Sequence, residues 1–153
     1  MIPRLQHSLI YQEQPYYSAL VLAPDQHSDG LLQTFEIVNT RLHSHLVTLS
    51  GCETALGKLK KGEGMLGLQR AFLQAGAESV VVSLWSIEDS TADFMEAFYR
   101  NIRDGQSLSV ALRNAKLRYL EGTLSVGGGQ QVSLSHPFFW APFVLTTTSL
   151  VHQ

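Results

Sequence analysis

The chain has 153 residues, 44% of them hydrophobic, enough for one globular domain with a core and too few for two ordinary ones. Eleven basic against thirteen acidic side chains give a formal net charge of −2, which excludes the electrostatic footprint of a protein that wraps nucleic acid or docks on an anionic membrane. A single cysteine, Cys52, excludes an internal disulfide and the common zinc sites, and points to a reducing compartment, the cytoplasm.

Residues 1–16 hold Pro3 and Pro15 without any sustained period, so they read as an irregular segment, and residues 17–153 as the organised domain. The start has no apolar signal stretch, and no run approaches the roughly 18 apolar residues of a membrane span. Ser18 to Ala23 is a short apolar run closed by Pro24-Asp25, and a Ser28-Asp29-Gly30 turn leads to an expected weak helix over Leu31 to Val38. His45 to Ser50 reads as a buried strand. It ends in Gly51-Cys52 and a loop rich in glycine and lysine, Glu53 to Gly64, whose Lys58 to Lys61 cluster reads as a solvated face.

From Met65 to Ala75 the apolar residues Leu68, Phe72 and Ala75 keep helical spacing, and Gly76 stands where a left-handed cap is expected. Ser79 to Trp85 is the clearest strand: β-branched and apolar on both faces, it suits the middle of a covered parallel sheet. Ser86 with Asp89 resembles a capping box, after which Phe94, Phe98 and Ile102 mark one face of a helix ending near Gly105. A second helix is expected from a Ser107 cap, with Leu108, Leu112 and Ala115 as its buried stripe and Gly122 as its end. Thr123 to Ser135, with Gly127-Gly-Gly129, reads as a flexible stretch. His136-Pro137-Phe-Phe-Trp140 then leads to a last strand, Phe143 to Thr147, which Pro142 assigns to a strand start or sheet edge. Alternating strands and helices imply an α/β fold with a largely parallel sheet.

The segments Leu49-Ser-Gly-Cys-Glu-Thr-Ala-Leu-Gly57, Gly62-Glu-Gly64, Gly67-Leu-Gln-Arg-Ala-Phe-Leu-Gln-Ala-Gly76, Val82-Ser-Leu-Trp85 and His136-Pro-Phe-Phe-Trp-Ala141 together resemble the CHAT domain. That is a caspase- and separase-like cysteine peptidase family often found beside tetratricopeptide repeats. The resemblance spans about residues 13 to 147, with Gly51 where the family pattern usually has alanine. It implies a caspase-like three-layer sandwich with flanking helices, of which this chain holds the C-terminal part without the N-terminal strands.

The resemblance makes Cys52 the nucleophile and places the dyad histidine at His7, which lies 45 residues before Cys52; caspase-type enzymes keep theirs about 50 residues upstream. Ser8 stands where the family has glycine, and its backbone N–H with that of Cys52 would form the oxyanion hole. A separase-like tryptophan followed by acids makes Trp85, Asp89 and Asp93 candidates for selecting a basic residue before the cleaved bond, and Glu53 a neighbour able to tune the thiol. The chemistry requires no metal or organic cofactor.

Each assignment has a structural rival. A lone cysteine is most often a small buried hydrophobe, an acid in a first helical turn is favoured by the helix dipole alone, and His7 can be an ordinary terminal residue. His45, on the order of 20 Å from Cys52 along an extended run, should sit at the strand's far end, and His136 reads as a packing or turn residue. Two functions are carried forward: a cysteine endopeptidase cutting after Arg or Lys, and a catalytically inactive relative serving as an interaction module. The few polar residues before His7 give it little support, so the isolated chain is expected to be weak or inactive; a longer natural sequence with a strand there would favour the peptidase. A small-molecule α/β domain is set aside because no phosphate-binding glycine loop follows a strand. Expected partners are a peptide substrate, a tetratricopeptide-repeat or N-terminal domain of a larger parent, and a second copy across an exposed His45 to Ser50 edge, the alternative being that Ser18 to Ala23 covers that edge.

Overall fold

The computed structural model describes residues 18–50, 63–85, 91–126 and 130–148, with side chains at 18–50, 64–85, 91–122 and 133–148. The chain forms an α/β structure in two compact units, residues 1–85 with 146–153 and residues 86–145.

In the first unit β1 (Ala19–Val21) and β2 (Leu31–Gln33) form an antiparallel hairpin with Leu20 opposite Leu32. Its turn is held by local side chains. Asp25 Oδ1 accepts from the His27 N–H at 2.7 Å, and Asp29 Oδ1 accepts from that of Leu31 at 2.9 Å, the self-bonding that suits aspartate to turns. Residues 31–33, expected to be helical, are therefore a strand, because pairing with β1 outweighs the helix propensity of two leucines. The helix α1 (Thr34–Val38) starts only after it, where Glu36 accepts from the Gln33 N–H at 2.8 Å and Thr34 Oγ1 donates to the Ser18 carbonyl at 2.6 Å.

β3 (Val47–Leu49) and β4 (Ser79–Ser83) are parallel, with Val47, Thr48 and Leu49 opposite Val80, Val81 and Val82. Between them runs α2 (Glu63–Gln74), the helical crossover that parallel neighbours require. All five β4 residues are buried, as the apolar run on both faces implied. The buried stripe of α2 is Met65, Leu68, Ala71 and Ala75; Phe72, expected in it, is half-buried. Gly76 ends this helix at φ +110°, with its N–H on the Leu73 carbonyl at 3.2 Å and the Ala77 N–H on that of Phe72 at 3.0 Å, a Schellman motif.

The sheet order is β3-β4-β7, where β7 is Phe143–Thr147, directly after Pro142 at a sheet edge as the sequence implied. The end of β7 is tied into this unit by Gln69 Nε2 donating to Thr146 Oγ1 at 2.6 Å and by the Thr148 N–H on the Glu78 carbonyl at 2.9 Å. Of the three described strand registers, β3 with β4 is parallel and the two hairpins are antiparallel. Ser18 to Ala23 does not cover β3: β1 pairs with β2 instead.

In the second unit α3 (Thr91–Arg103) and α4 (Leu108–Leu120) pack together, and a second Schellman turn at Gly105, φ +84°, joins them. Phe94 is fully buried; its ring stacks on Phe143 at 3.8 Å and meets Tyr119 edge-on at 5.2 Å. Ser107 occupies the N-cap position of α4, yet its hydroxyl makes no cap bond and faces Ser109 Oγ at 3.4 Å. Within Thr123 to Ser135, expected to be a flexible stretch, β5 (Thr123–Val126) and β6 (Gln130–Ser133) pair antiparallel, and Gly127 to Gly129 lie outside the described residues. The short α5 (Pro137–Trp140) follows.

Candidate functional site

Two parallel strands that end together define the place where chemistry is expected, since loops leaving the carboxyl ends of such strands form the sites of open α/β sheets. Leu49 lies opposite Val82, so Ser50 and Ser83 leave β3 and β4 side by side. Cys52 is three residues beyond Leu49, and Trp85 three beyond Val82. Trp85 is half-buried, and the buried Ser83 hydroxyl donates to its carbonyl at 2.6 Å, fixing the chain direction as it leaves the strand. That role of Ser83 was not foreseen; its signal was a hydroxyl at the carboxyl end of a strand whose centre is three valines.

Cys52, His7, Ser8, Glu53 and Asp89 lie outside the described residues. Asp93 is exposed in the first turn of α3, in the second unit, where the positive end of the helix dipole favours a carboxylate.

The other histidines have positions of their own. His45 precedes β3 and its Nδ1 meets the Glu78 carboxylate just before β4, at the amino end of the strand pair and therefore at the far end of β3 from Cys52. His136 is the N-cap of α5, where Nδ1 accepts from the Phe138 N–H at 3.2 Å, the turn role the sequence suggested. Among the described residues no three His, Cys, Asp or Glu side chains gather as metal ligands, and no helix is long and apolar enough to cross a membrane. Burial lowers the Lys116 pKa, although its ammonium lies 5.9 Å from the Trp140 ring centre.

Comparison with known proteins bears on the same strand pair. The family model for the CHAT domain matches residues 6–148. Tetratricopeptide repeat protein 28 of Mus musculus is 33% identical over 116 residues, and that of Homo sapiens 32% over 116; each match covers 75% of this chain. The chain spans only about 4% of the length of either relative. With nearly the whole α/β chain, including the Cys52 segment and the strands on either side of its helix, inside the family match, the chain belongs to the CHAT domain family.

Proposed function

We propose that this chain is the cysteine-bearing part of a caspase-like endopeptidase domain that hydrolyses peptide bonds through a Cys52–His7 dyad, after Arg or Lys. The observation that carries the reading is the common carboxyl end of β3 and β4, from which the family's cysteine segment departs.

In this mechanism His7 takes the Sγ proton and the thiolate attacks the scissile carbonyl carbon. The backbone N–H groups of Cys52 and Ser8 hold the resulting oxyanion. Collapse breaks the C–N bond, His7 passes its proton to the leaving amine, and a thioester remains. Water deprotonated by His7 then attacks that thioester and releases the acid and the free thiol. Asp89, four residues after Trp85 in sequence, selects a basic residue by a charge-assisted pair, and Glu53 tunes the thiol. Asp93, exposed in its first helical turn, supports the helix-dipole role better than the selector role. The domain works in the cytoplasm on peptide substrates, within a larger tetratricopeptide-repeat parent, and pairs with a second copy across the edge of β3 opposite β4.

A second reading has its own support, because the named relatives are called repeat proteins and not hydrolases. Here the domain keeps the sheet and serves as an interaction module. Incubation with an arginyl chloromethyl ketone followed by mass spectrometry separates the two. Covalent addition confined to Cys52, absent from Cys52→Ala and slower with His7→Ala, supports the peptidase; labelling no faster than that of free cysteine in a longer form with a strand before His7 removes it.

A further inference from the structure

The helix α4 is apolar on two faces, and only one of them is used. Ala111, Leu112, Ala115 and Tyr119 are buried, whereas Val110, Leu117 and Leu120 are 44%, 40% and 41% exposed. At about 100° per residue, Val110, Arg113, Leu117 and Leu120 fall within an arc of about 80°, nearly opposite the buried stripe. Single exposed apolar residues need no explanation, but these follow the a and d positions of two heptads, the seam by which one helix packs against another.

Charge narrows the occupant. Arg113 holds a d position inside the stripe, where its guanidinium reaches Asn114 Oδ1 at 3.5 Å and no described carboxylate. Arg118 is exposed away from the stripe, and Glu121 stands at the carboxyl end of the helix. A polar residue in an otherwise apolar seam sets register and partner, and an arginine there selects a carboxylate. A second copy offers none: in-register parallel pairing sets Arg113 against Arg113, and antiparallel pairing about the helix centre sets it against Leu117. We propose that this face of α4 docks an amphipathic helix of a partner protein carrying leucines at heptad spacing and an acidic residue opposite Arg113.

The test uses the full chain and a fluorescent peptide of three heptads with leucine at a and d, except for one central d-position glutamate; in a control peptide that glutamate is lysine. Anisotropy titration should show the glutamate peptide binding roughly tenfold or more tightly than the lysine peptide, since like charges facing one another across an interface are strongly disfavoured. Arg113→Glu should invert the preference, and Leu117→Ser should weaken binding of the glutamate peptide roughly tenfold. Both positions face outward, so unchanged far-ultraviolet circular dichroism is expected and checks the fold. Equal affinity for both peptides, or binding unaffected by Leu117→Ser, overturns the proposal. So does a dimer in light scattering that Leu117→Ser dissolves while neither peptide binds, which would assign the face to self-association.

Discussion

Replacing Gly76 with alanine tests the most constrained backbone contact in the first unit. An added Cβ would sit 2.3 Å from the Leu42 carbonyl oxygen and 3.4 Å from its carbon, and the residue holds φ +110°. Leu42 cannot retreat freely, because its own N–H donates to the Ala75 carbonyl at 2.7 Å. The left-handed conformation costs an alanine roughly 1–2 kcal/mol, and forcing a methyl into a filled space typically adds about 1–3 kcal/mol; we expect a loss of about 3 kcal/mol. Gly105 is the internal control. It ends α3 with the same hydrogen-bond pattern at φ +84°, yet nothing lies within 4 Å of its added Cβ, so Gly105→Ala should cost about 1 kcal/mol. Loss of glycine's freedom in the unfolded chain is common to both and cancels. With a urea slope of about 2 kcal/mol per molar, midpoints followed by circular dichroism should differ by about 1 M. Equal midpoints would refute the reasoning, since conformation alone would then account for both glycines.

Phe94→Ala, emptying the space between Phe143 and Tyr119, should destabilise by about 3–5 kcal/mol, read as a thermal midpoint lower by roughly 10 °C. Glu78→Gln breaks an exposed pair with His45 and should change stability by less than about 1 kcal/mol in the same melts. Burial holds the Lys116 pKa below its usual 10.5, so above the lowered value the unfolded chain carries more protons than the folded one. Stability relative to Lys116→Met should therefore rise with pH between the lowered value and 10.5, in denaturant titrations at several pH values. In an active form, Asp89→Ala should lower kcat/KM on arginyl peptides with an unchanged melting temperature; an unchanged basic preference would leave Asp89 as a helix cap.

Where neighbours in sequence decide the structure, the sequence was readable. Val80 to Val82 announced a strand covered on both faces, and Gly76 stood where the apolar stripe of α2 stopped. Where distant pairing decides, it was not. Leu31-Leu32-Gln33 favours a helix locally and becomes a strand only because β1 lies beside it. Thr123 to Ser135 looked loose around three glycines, but Leu124 lies opposite Val132 in an antiparallel ladder. Phe72 shares helical spacing with Leu68, and only packing reveals that the smaller Ala71 is the buried member of the stripe. The family was legible by another route: Cys52 has no periodicity to mark it, and the resemblance rests on the ordered motifs around it.

The contacts at the amino ends of β3 and β4 hold the pair away from the end where chemistry is expected. At the amino end the Leu42 N–H meets the Ala75 carbonyl, Ser44 bridges Ala77, the Glu78 N–H meets the Ser44 carbonyl, and His45 meets the Glu78 side chain. At the carboxyl end the Ser83 hydroxyl donates to the Trp85 carbonyl two residues on. Strands locked at one end can carry variable loops at the other without losing register, because the Val47 to Leu49 ladder is already fixed where it begins. Substitutions around Leu42, Gly76 and Glu78 should therefore register first in stability. Those around Ser50, Ser83 and Trp85 should register first in the reactivity of Cys52, and a reversed pattern would place the functional end of the sheet at the wrong edge.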